Sequence, residues 1–148
     1  MRATPRKECR QMKLLVLVDG SASALRAVRE VIKQMAHDKG SQEVHLLNVQ
    51  HALPGTIAEG PASRAYHHDQ GIAALADARA ALDEVGVPYT YHIGVGDVGE
   101  VVAQFVAQLK CDEVVMGTRG MGAVANVLLG SAATDVLHLV NVPVLLVK

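Results

Sequence analysis

The hydrophobic positions of this chain form five short, mostly apolar runs separated by longer segments with helical periodicity. The runs lie at residues 14–18, 44–49, 89–93, 114–116 and 142–147, and the third, Tyr-Thr-Tyr-His-Ile, is the one that contains alternating polar residues. Apolar runs without polar alternation are typical of strands that are buried on both faces of a parallel sheet. The segments between them repeat apolar residues every three or four positions, which indicates helices that bury one face. The pattern predicts an α/β fold, a single doubly wound parallel five-stranded sheet with helices on both faces.

Capping residues and glycines indicate where the helices begin and end. Ser21 or Ser23 can cap the first helix, because a serine hydroxyl accepts a hydrogen bond from a first-turn N–H group. Proline and glycine punctuate residues 50–71, which we expect to form the longest irregular loop. The Ala-rich residues 72–85 then predict a helix that ends at Gly86.

Residues 94–99 spell Gly-x-Gly-x-x-Gly between the third strand and a helix, which is the context of a dinucleotide fingerprint. In the dinucleotide fold that motif follows the first strand, and an acidic residue ends the next strand about 20 residues later. Here the strand after the motif ends in Met116 and Gly117. Asp97 and Glu100 match a capping box for the following helix, so we favour a structural role for these glycines.

Length and composition favour one domain. The chain has 148 residues, of which 50% are hydrophobic, enough for one complete core and too few for two ordinary domains. We expect this domain to span residues 12–148. Residues 1–11 carry four basic residues and one Glu without periodicity, which predicts a flexible N-terminal arm. A start at Met12 instead of Met1 would remove that arm.

The charge pattern argues against polyanionic partners. The formal net charge is −1 and no run of Lys and Arg forms a stripe, so we expect no nucleic acid partner. No apolar run approaches the roughly 20 residues that span a bilayer, and no signal-peptide core follows the basic N-terminus. These features predict no membrane partner and a cytoplasmic location.

The cysteines and histidines do not match a metal or disulfide pattern. Cys9 and Cys111 lack a CxxC spacing or a His at ligand spacing, so we expect neither a disulfide nor a metal. Residues 67–69 read His-His-Asp, but adjacent side chains point in different directions on any regular element. A solvated loop or helix start is the favoured interpretation there, and His45 is expected to be an ordinary polar residue of the second strand.

The best candidate for chemistry is the glycine-rich segment after the fourth strand. Gly117, Gly120 and Gly130 are followed by Ser131 and a helical pattern. The first N–H groups of a helix lack partners within it and carry a partial positive charge, which suits a phosphate. We interpret the segment as an anion cradle, with glycines that merely allow tight turns as the structural alternative.

The spacing of residues 117–131, Gly-x2-Gly-x9-Gly-Ser, resembles the nucleotide-binding branch of the universal stress protein family. The resemblance extends to VLVDGSASALRAV near the start, HLLNV in the middle and VPVLLV at the end. It implies the strand order 3-2-1-4-5, in which a ligand crevice opens at the carboxyl ends of strands 1 and 4. It also implies a homodimer joined through the C-terminal strand, whose edge carries no charge before Lys148.

The same resemblance implies that the ligand is ATP, or ADP or AMP, with Mg²⁺. Asp19, which follows Val18 at the end of the first strand, would accept hydrogen bonds from the ribose hydroxyls. The backbone of Val49 would meet the adenine. Gly117 and Gly120 would lie near the ribose and the phosphates.

The resemblance further implies that Gly130, Ser131 and Ala132 give N–H and hydroxyl groups to the phosphates. Arg119 lies in the same loop, but the loop has no Lys in the P-loop arrangement. The phosphate charge would therefore be neutralised mainly by backbone dipoles and the magnesium ion.

Catalytic residues are harder to identify. No His, Glu or second Asp stands at a defined spacing near the cradle to orient a water molecule. The first hypothesis is therefore a nucleotide-responsive stress or signalling module. A slow ATP hydrolase and an interaction protein with a vestigial nucleotide site are the alternatives.

Overall fold

The fold alternates strands and helices, as the hydrophobic pattern predicts. The computed structural model describes residues 10–38, 41–53, 60–118 and 129–148. The strands are β1 (Met12–Leu17), β2 (Gln42–Gln50), β3 (Tyr89–Val95), β4 (Glu113–Gly117) and β5 (Val144–Val147). The helices are α1 (Ala22–Asp38), α2 (Pro61–Glu84), α3 (Val98–Leu109) and α4 (Ser131–Leu139). No helix in these ranges is long and apolar enough to cross a membrane.

All five strands are parallel and lie in the order β3-β2-β1-β4-β5. The predicted α/β class and the strand order implied by the family resemblance are both confirmed. In the centre of the sheet, Leu15 of β1 lies opposite His45 of β2 and Val114 of β4. The winding reverses between β1 and β4, so their carboxyl ends form the switch point at which sheets of this class bind ligands.

Two helices cover each face of the sheet, which explains the unbroken apolar runs. On one face, Leu14 belongs to a core cluster with Val28 of α1 and Leu75 of α2. On the other face, Leu15 belongs to a cluster with Val102 of α3 and residues of α4. Successive side chains of a strand point to opposite faces, so residues 14–17 of β1, all of them apolar, pack alternately against the two layers.

The start of α2 differs from the prediction. The helix begins at Pro61, so the expectation of an irregular loop is wrong for residues 61–71, while residues 54–59 lie outside the described residues. Pro61 occupies the start of the helix, where its missing N–H group costs no helical hydrogen bond. Gly71 allows close packing against β3, because a Cβ there would lie 2.6 Å from Ile93 Cδ1.

The glycines of residues 94–99 have structural functions. Gly94 lies within β3, and a Cβ there would lie 2.5 Å from Val101 Cγ1 of α3. Asp97 is the N-cap of α3, and its carboxylate accepts a hydrogen bond from the Glu100 N–H at 3.3 Å. This contact forms one half of the predicted capping box.

The predicted cap of the first helix is Ser21, whose hydroxyl accepts from the Ala24 N–H at 3.1 Å. Residues 1–9 of the expected N-terminal arm lie outside the described residues. Arg10 is described, and its guanidinium lies 3.1 Å from the Asp112 carboxylate and 3.4 Å from the Lys110 carbonyl oxygen. These contacts link the chain just before β1 to the turn before β4.

Candidate functional site

Three strand ends meet at one edge of the sheet and carry residues that the sequence analysis singles out. The Val18 N–H donates to the Leu47 carbonyl at 2.9 Å, which extends the pairing of β1 and β2. Following this register brings Asp19 beside Val49 at the end of β2. On the other side of β1, the strand β4 ends at Gly117. The structure therefore gathers these residues at the carboxyl edge of the sheet.

A buried asparagine that the sequence analysis missed fixes the end of β1. Asn48 is 2% exposed, and its Nδ2 donates to the Val18 carbonyl at 2.8 Å. Its Oδ1 accepts from the side-chain amide of Gln50 at 2.6 Å. Val18 directly precedes Asp19, so the hydrogen bond from Asn48 to the Val18 carbonyl fixes the backbone next to Asp19. In the sequence, the sign of this function was a single side-chain amide, that of Asn48, within the otherwise mostly apolar run HLLNV.

Asp19 lies exposed in the turn between β1 and α1. Its carboxylate accepts a hydrogen bond from the Ser21 N–H at 2.9 Å, the contact of an Asx turn. The next residue, Gly20, has a φ of 85°, a left-handed conformation that favours glycine. The turn thus holds the carboxylate in place at the surface.

Gly117 allows β4 to approach the start of α1. A Cβ at Gly117 would collide with Ser23 Oγ and would lie 2.8 Å from the Ser23 carbonyl carbon. Ser23 is itself buried, with 4% exposure. The family resemblance places Gly117 near the ribose and the phosphates, and in the structure the group that lies close to it is Ser23 in the first turn of α1.

The start of α4 is held against the end of β4. The Gly130 N–H donates to the Thr118 carbonyl at 2.8 Å, and the Thr118 N–H donates to the Val147 carbonyl at 3.0 Å. Gly130 is the N-cap of α4, no side chain caps this helix, and its first turn has no acidic residue. Ser131 and Ala132 open the helix, so their N–H groups are among those that lack helical partners. Ser131 and Ala132 of the expected anion cradle therefore lie at a helix start without a side-chain cap, while residues 119–128 of its loop lie outside the described residues.

Seven of the nine candidate site residues lie along this edge, and Arg119 and Gly120 lie outside the described residues. The seven are Val18, Asp19, Val49, Gly117, Gly130, Ser131 and Ala132. They run from the end of β2 across β1 and β4 to the start of α4. We call this set the carboxyl-edge site.

His45 belongs to an interior polar network on the sheet face that α3 covers. It is 6% exposed, with Nδ1 3.0 Å from His92 Nε2 and Nε2 2.7 Å from Glu43 Oε1. The His92 ring packs against Phe105 of α3, with the ring centroids 5.3 Å apart. Removal from water, and then the charge of His45, lower the pKa of His92 below its usual value of 6.5. The network lies within the strands, away from the carboxyl-edge site.

The candidate metal ligands do not converge. His67 lies in α2 and is 4% exposed, which corrects the expectation of a solvated position, while the neighbouring His68 is exposed. Cys111 is buried, and burial raises the pKa of its thiol. Among the described residues no group of three or more His, Cys, Asp or Glu side chains could hold a metal ion.

Comparison with known proteins identifies the family. The sequence pattern of the Universal stress protein family matches residues 12–148. The chain belongs to the universal stress protein family. A universal stress protein of Methanocaldococcus jannaschii is 29% identical over 140 residues, which cover 92% of this chain and 81% of that relative. The family predicted from the four sequence motifs is confirmed, and membership of its nucleotide-binding branch stays a prediction.

Solved universal stress proteins share the fold described above. One from Archaeoglobus fulgidus has a TM-score of 0.71 at 21% identity, and the alignment covers 93% of this chain and 98% of that protein's chain. One in complex with cAMP has a TM-score of 0.70 at 21% identity, and the alignment covers 94% of this chain and 98% of that protein's chain. A family member from Arabidopsis thaliana with AMP bound has a TM-score of 0.67 at 21% identity, and the alignment covers 93% of this chain and 91% of that protein's chain. At these identities the similarity concerns the fold.

Proposed function

We propose that this universal stress protein binds an adenine nucleotide at the carboxyl-edge site, with ATP as the first candidate. The bound nucleotide would make it a nucleotide-responsive stress or signalling module. The observation that carries the proposal is the uncapped start of α4, which Gly130 and Thr118 fasten to the end of β4. Two proteins of the same fold hold nucleotides, cAMP in one and AMP in the other. They support an adenine nucleotide as the ligand class.

The phosphates are proposed to bind the first turn of α4. The N–H groups of Ser131 and Ala132, the Ser131 hydroxyl and the positive end of the helix dipole all favour an anion there. Gly130 has φ −68° and ψ 158°, a conformation open to any residue. The backbone therefore does not require glycine at this position, and close approach of a phosphate gives a reason for the missing side chain.

The ribose and the base are proposed to lie across the ends of β1 and β2. Neighbouring strands are about 4.8 Å apart, so the ends of β4 and β2 are separated by roughly 10 Å. That span matches a nucleotide extended from its phosphate to its base. The exposed Asp19 carboxylate lies between the two ends and is suited to accept hydrogen bonds from ribose hydroxyls.

Mg²⁺ is proposed to arrive with the nucleotide. In proteins this ion commonly keeps several waters and is held by one or two carboxylates together with substrate phosphates. Asp19 is the acidic residue among the seven described residues of the carboxyl-edge site. It would supply a carboxylate near the phosphates, either directly or through water.

The first prediction is that Gly130→Val prevents nucleotide binding while preserving the fold. A valine can adopt the backbone conformation of Gly130, but its side chain would occupy the space that a phosphate needs. Calorimetric titrations with ATP, AMP and cAMP in the presence of Mg²⁺ should show saturable binding to the wild type. The variant should lose at least about tenfold in affinity, which corresponds to about 1.4 kcal/mol.

Gly60→Val is the matched control for this experiment. Gly60 is also a helix N-cap with extended backbone, φ −86° and ψ 171°, and nothing lies within 4 Å of a Cβ added there. This variant should bind ATP as the wild type does. Unchanged ATP affinity in a folded Gly130→Val protein, or a wild type that binds none of the three nucleotides, would overturn the proposal.

A further inference from the structure

Two side-chain amides join the ends of β1 and β2 at the carboxyl edge of the sheet. Asn48 Nδ2 donates to the Val18 carbonyl at 2.8 Å, and Asn48 Oδ1 lies 2.6 Å from Gln50 Nε2. Both side chains lie on the face of the sheet that α1 and α2 cover, because Leu46 belongs to that core cluster and alternate residues of a strand share a face. The Gln50 amide therefore lies near the end of β1, on the residue that follows Val49.

The hydrogen bonds determine which end of each amide is the oxygen. A backbone carbonyl only accepts, so the Asn48 atom beside the Val18 carbonyl must be the nitrogen, and the Asn48 oxygen is left to accept. The Gln50 atom that meets this oxygen must then be a donor, which is the Gln50 nitrogen. One backbone carbonyl thus sets the orientation of both amides. Gln50 is left with its oxygen, Oε1, as the group it can offer to a ligand.

Gln50 Oε1 is accessible as well as oriented. Among the described residues no donor pairs with this oxygen. The described side-chain atoms that are buried without a partner are Gln42 Oε1 and His67 Nδ1, so Gln50 Oε1 keeps contact with solvent. The Gln50 side chain as a whole is half-buried. It therefore presents an unpaired acceptor in a fixed direction at the carboxyl edge.

The backbone of β2 shows on which side of the strand a base would lie. The Gly96 N–H donates to the Gln50 carbonyl at 2.9 Å, so the backbone groups of Gln50 face β3. Alternate residues of a strand face the same neighbour, so the backbone groups of Val49 face the side of β1, which has already ended at Leu17. A base placed against the Val49 backbone would occupy the space beyond the end of β1. The Gln50 amide, which Asn48 holds near Val18, borders that space.

An acceptor in this position distinguishes between purine bases. Adenine carries an exocyclic amino group that donates, whereas guanine and hypoxanthine carry in its place an oxygen that only accepts. The amino group can donate to Gln50 Oε1, while an oxygen there would leave two acceptors facing each other. A site that is built to form a hydrogen bond rejects a ligand that lacks the matching group, because its own polar atom then stays unpaired.

We propose that Gln50 selects adenine at the carboxyl-edge site, with Oε1 accepting a hydrogen bond from the exocyclic amino group. The inference rests on the proposed nucleotide function and adds the residue that chooses the base. Gln50 is the specificity-determining residue in this assignment. Asn48 is a positioning residue, which acts by holding the Gln50 amide with its oxygen toward the base.

The test is calorimetric titration of the full chain with ATP, purine riboside triphosphate and inosine triphosphate in the presence of Mg²⁺. Purine riboside triphosphate carries only hydrogen in place of the amino group, so it should bind about fivefold more weakly than ATP, the usual effect of one lost hydrogen bond. Inosine triphosphate, with an oxygen there, should bind more weakly still. Gln50→Leu should bind ATP and purine riboside triphosphate equally. Gln104→Leu makes the same change at an exposed position on α3 and should keep the wild-type preference.

The ratio of the ATP and purine riboside triphosphate affinities also tests Asn48. Asn48→Ala should lower this ratio, whereas a merely structural loss would weaken both ligands alike. A wild type that binds the two ligands equally would overturn the inference and leave the proposed function intact, and this comparison needs no variant to fold. A folded Gln50→Leu protein that keeps the wild-type preference would overturn it too. A wild type that binds no nucleotide would overturn the proposed function and the inference together.

Discussion

Asn48 shows how one buried side chain can support the position of a ligand-facing residue. Asn48→Ala would leave the Val18 carbonyl without its 2.8 Å hydrogen bond and would open space next to Gln50. We predict a loss of about 1–3 kcal/mol in the free energy of unfolding, the usual cost of a buried unpaired polar group. Chemical denaturation measures it, with Asn141→Ala at an exposed position as the control. A loss no larger than that of the control would contradict the structural role.

His92 is predicted to make the fold less stable as the pH falls. Its pKa in the folded protein lies below the unfolded value, first because of removal from water and then because of His45. The unfolded chain therefore takes up the proton at higher pH. Stability is fully present above about pH 6.5 and is lost as the pH falls through 6.5 toward the lower folded pKa.

Denaturation at pH 7.5 and pH 5.5 tests this dependence. His92→Gln should lose less stability between the two pH values than the wild type does. His37→Gln, at an exposed position on α1, should retain the wild-type dependence. An unchanged pH dependence in His92→Gln would show that other groups cause it.

The sequence identifies residues with distinctive chemistry better than residues that matter through a distant partner. Gly130 and Ser131 are singled out by their types and spacing and Asp19 by the family resemblance, and their binding of a ligand stays a prediction. Asn48 could not be singled out, since its partner lies 30 residues away and its function exists only once β1 and β2 are paired. The burial of His67 is likewise a property of the packed helix, because His-His-Asp on an unplaced segment suggests a solvated position.

At the level of elements, the contact of β4 with α1 depends on Gly117. We predict that Gly117→Ala destabilises the protein by about 1–3 kcal/mol, the usual cost of inserting a methyl group into a packed contact. Ser23→Ala should not rescue it, because the Ser23 carbonyl carbon would still lie 2.8 Å from the new Cβ. Gly60→Ala, where the added Cβ meets nothing within 4 Å, is the matched control. Equal thermal transitions in the two alanine variants would refute the prediction.

The elements differ in how well periodicity predicts them. The strands β1 and β4 are recognised because burial on both faces leaves unbroken apolar runs, and β2 because only His45 and Asn48 interrupt its run at residues 44–49. The first turns of α2 are not recognised, because Pro61 and Gly71 suggest a loop in isolation. In the structure Pro61 begins the helix and Gly71 fits against Ile93, so tertiary packing rather than local propensity decides the helix boundary.

At the scale of the whole molecule, apolar periodicity predicts a parallel sheet but does not assign the neighbours of each strand. The order β3-β2-β1-β4-β5 was implied by the family resemblance and is confirmed by the strand pairing. That order has two consequences for function. It brings the ends of β1 and β4 together at the carboxyl-edge site, and it leaves β5 at an edge of the sheet.

The exposed edge of β5 leads to the proposal that two copies of the chain associate through it. Val114 donates to the Pro143 carbonyl at 3.0 Å and Thr118 donates to the Val147 carbonyl at 3.0 Å. Because alternate residues of a strand face the same neighbour, Val144 and Leu146 direct their backbone groups away from β4. On α4, Leu137 and Leu139 are 45% and 47% exposed and add apolar surface.

The last prediction is that the wild type forms a dimer in which the two β5 strands pair antiparallel about a twofold axis. Light scattering at tens of micromolar should give twice the 15.7 kDa mass of one chain. Val144→Pro removes one outward N–H from each subunit, a change that edge strands tolerate. The dimer then loses two hydrogen bonds, which together contribute about 2 kcal/mol. We therefore expect its dissociation constant to rise about thirtyfold. Val144→Ala removes the side chain but keeps the N–H, so it should weaken the dimer less. A monomeric wild type would exclude the dimer, and an unchanged dissociation constant in Val144→Pro would exclude β5 as its interface.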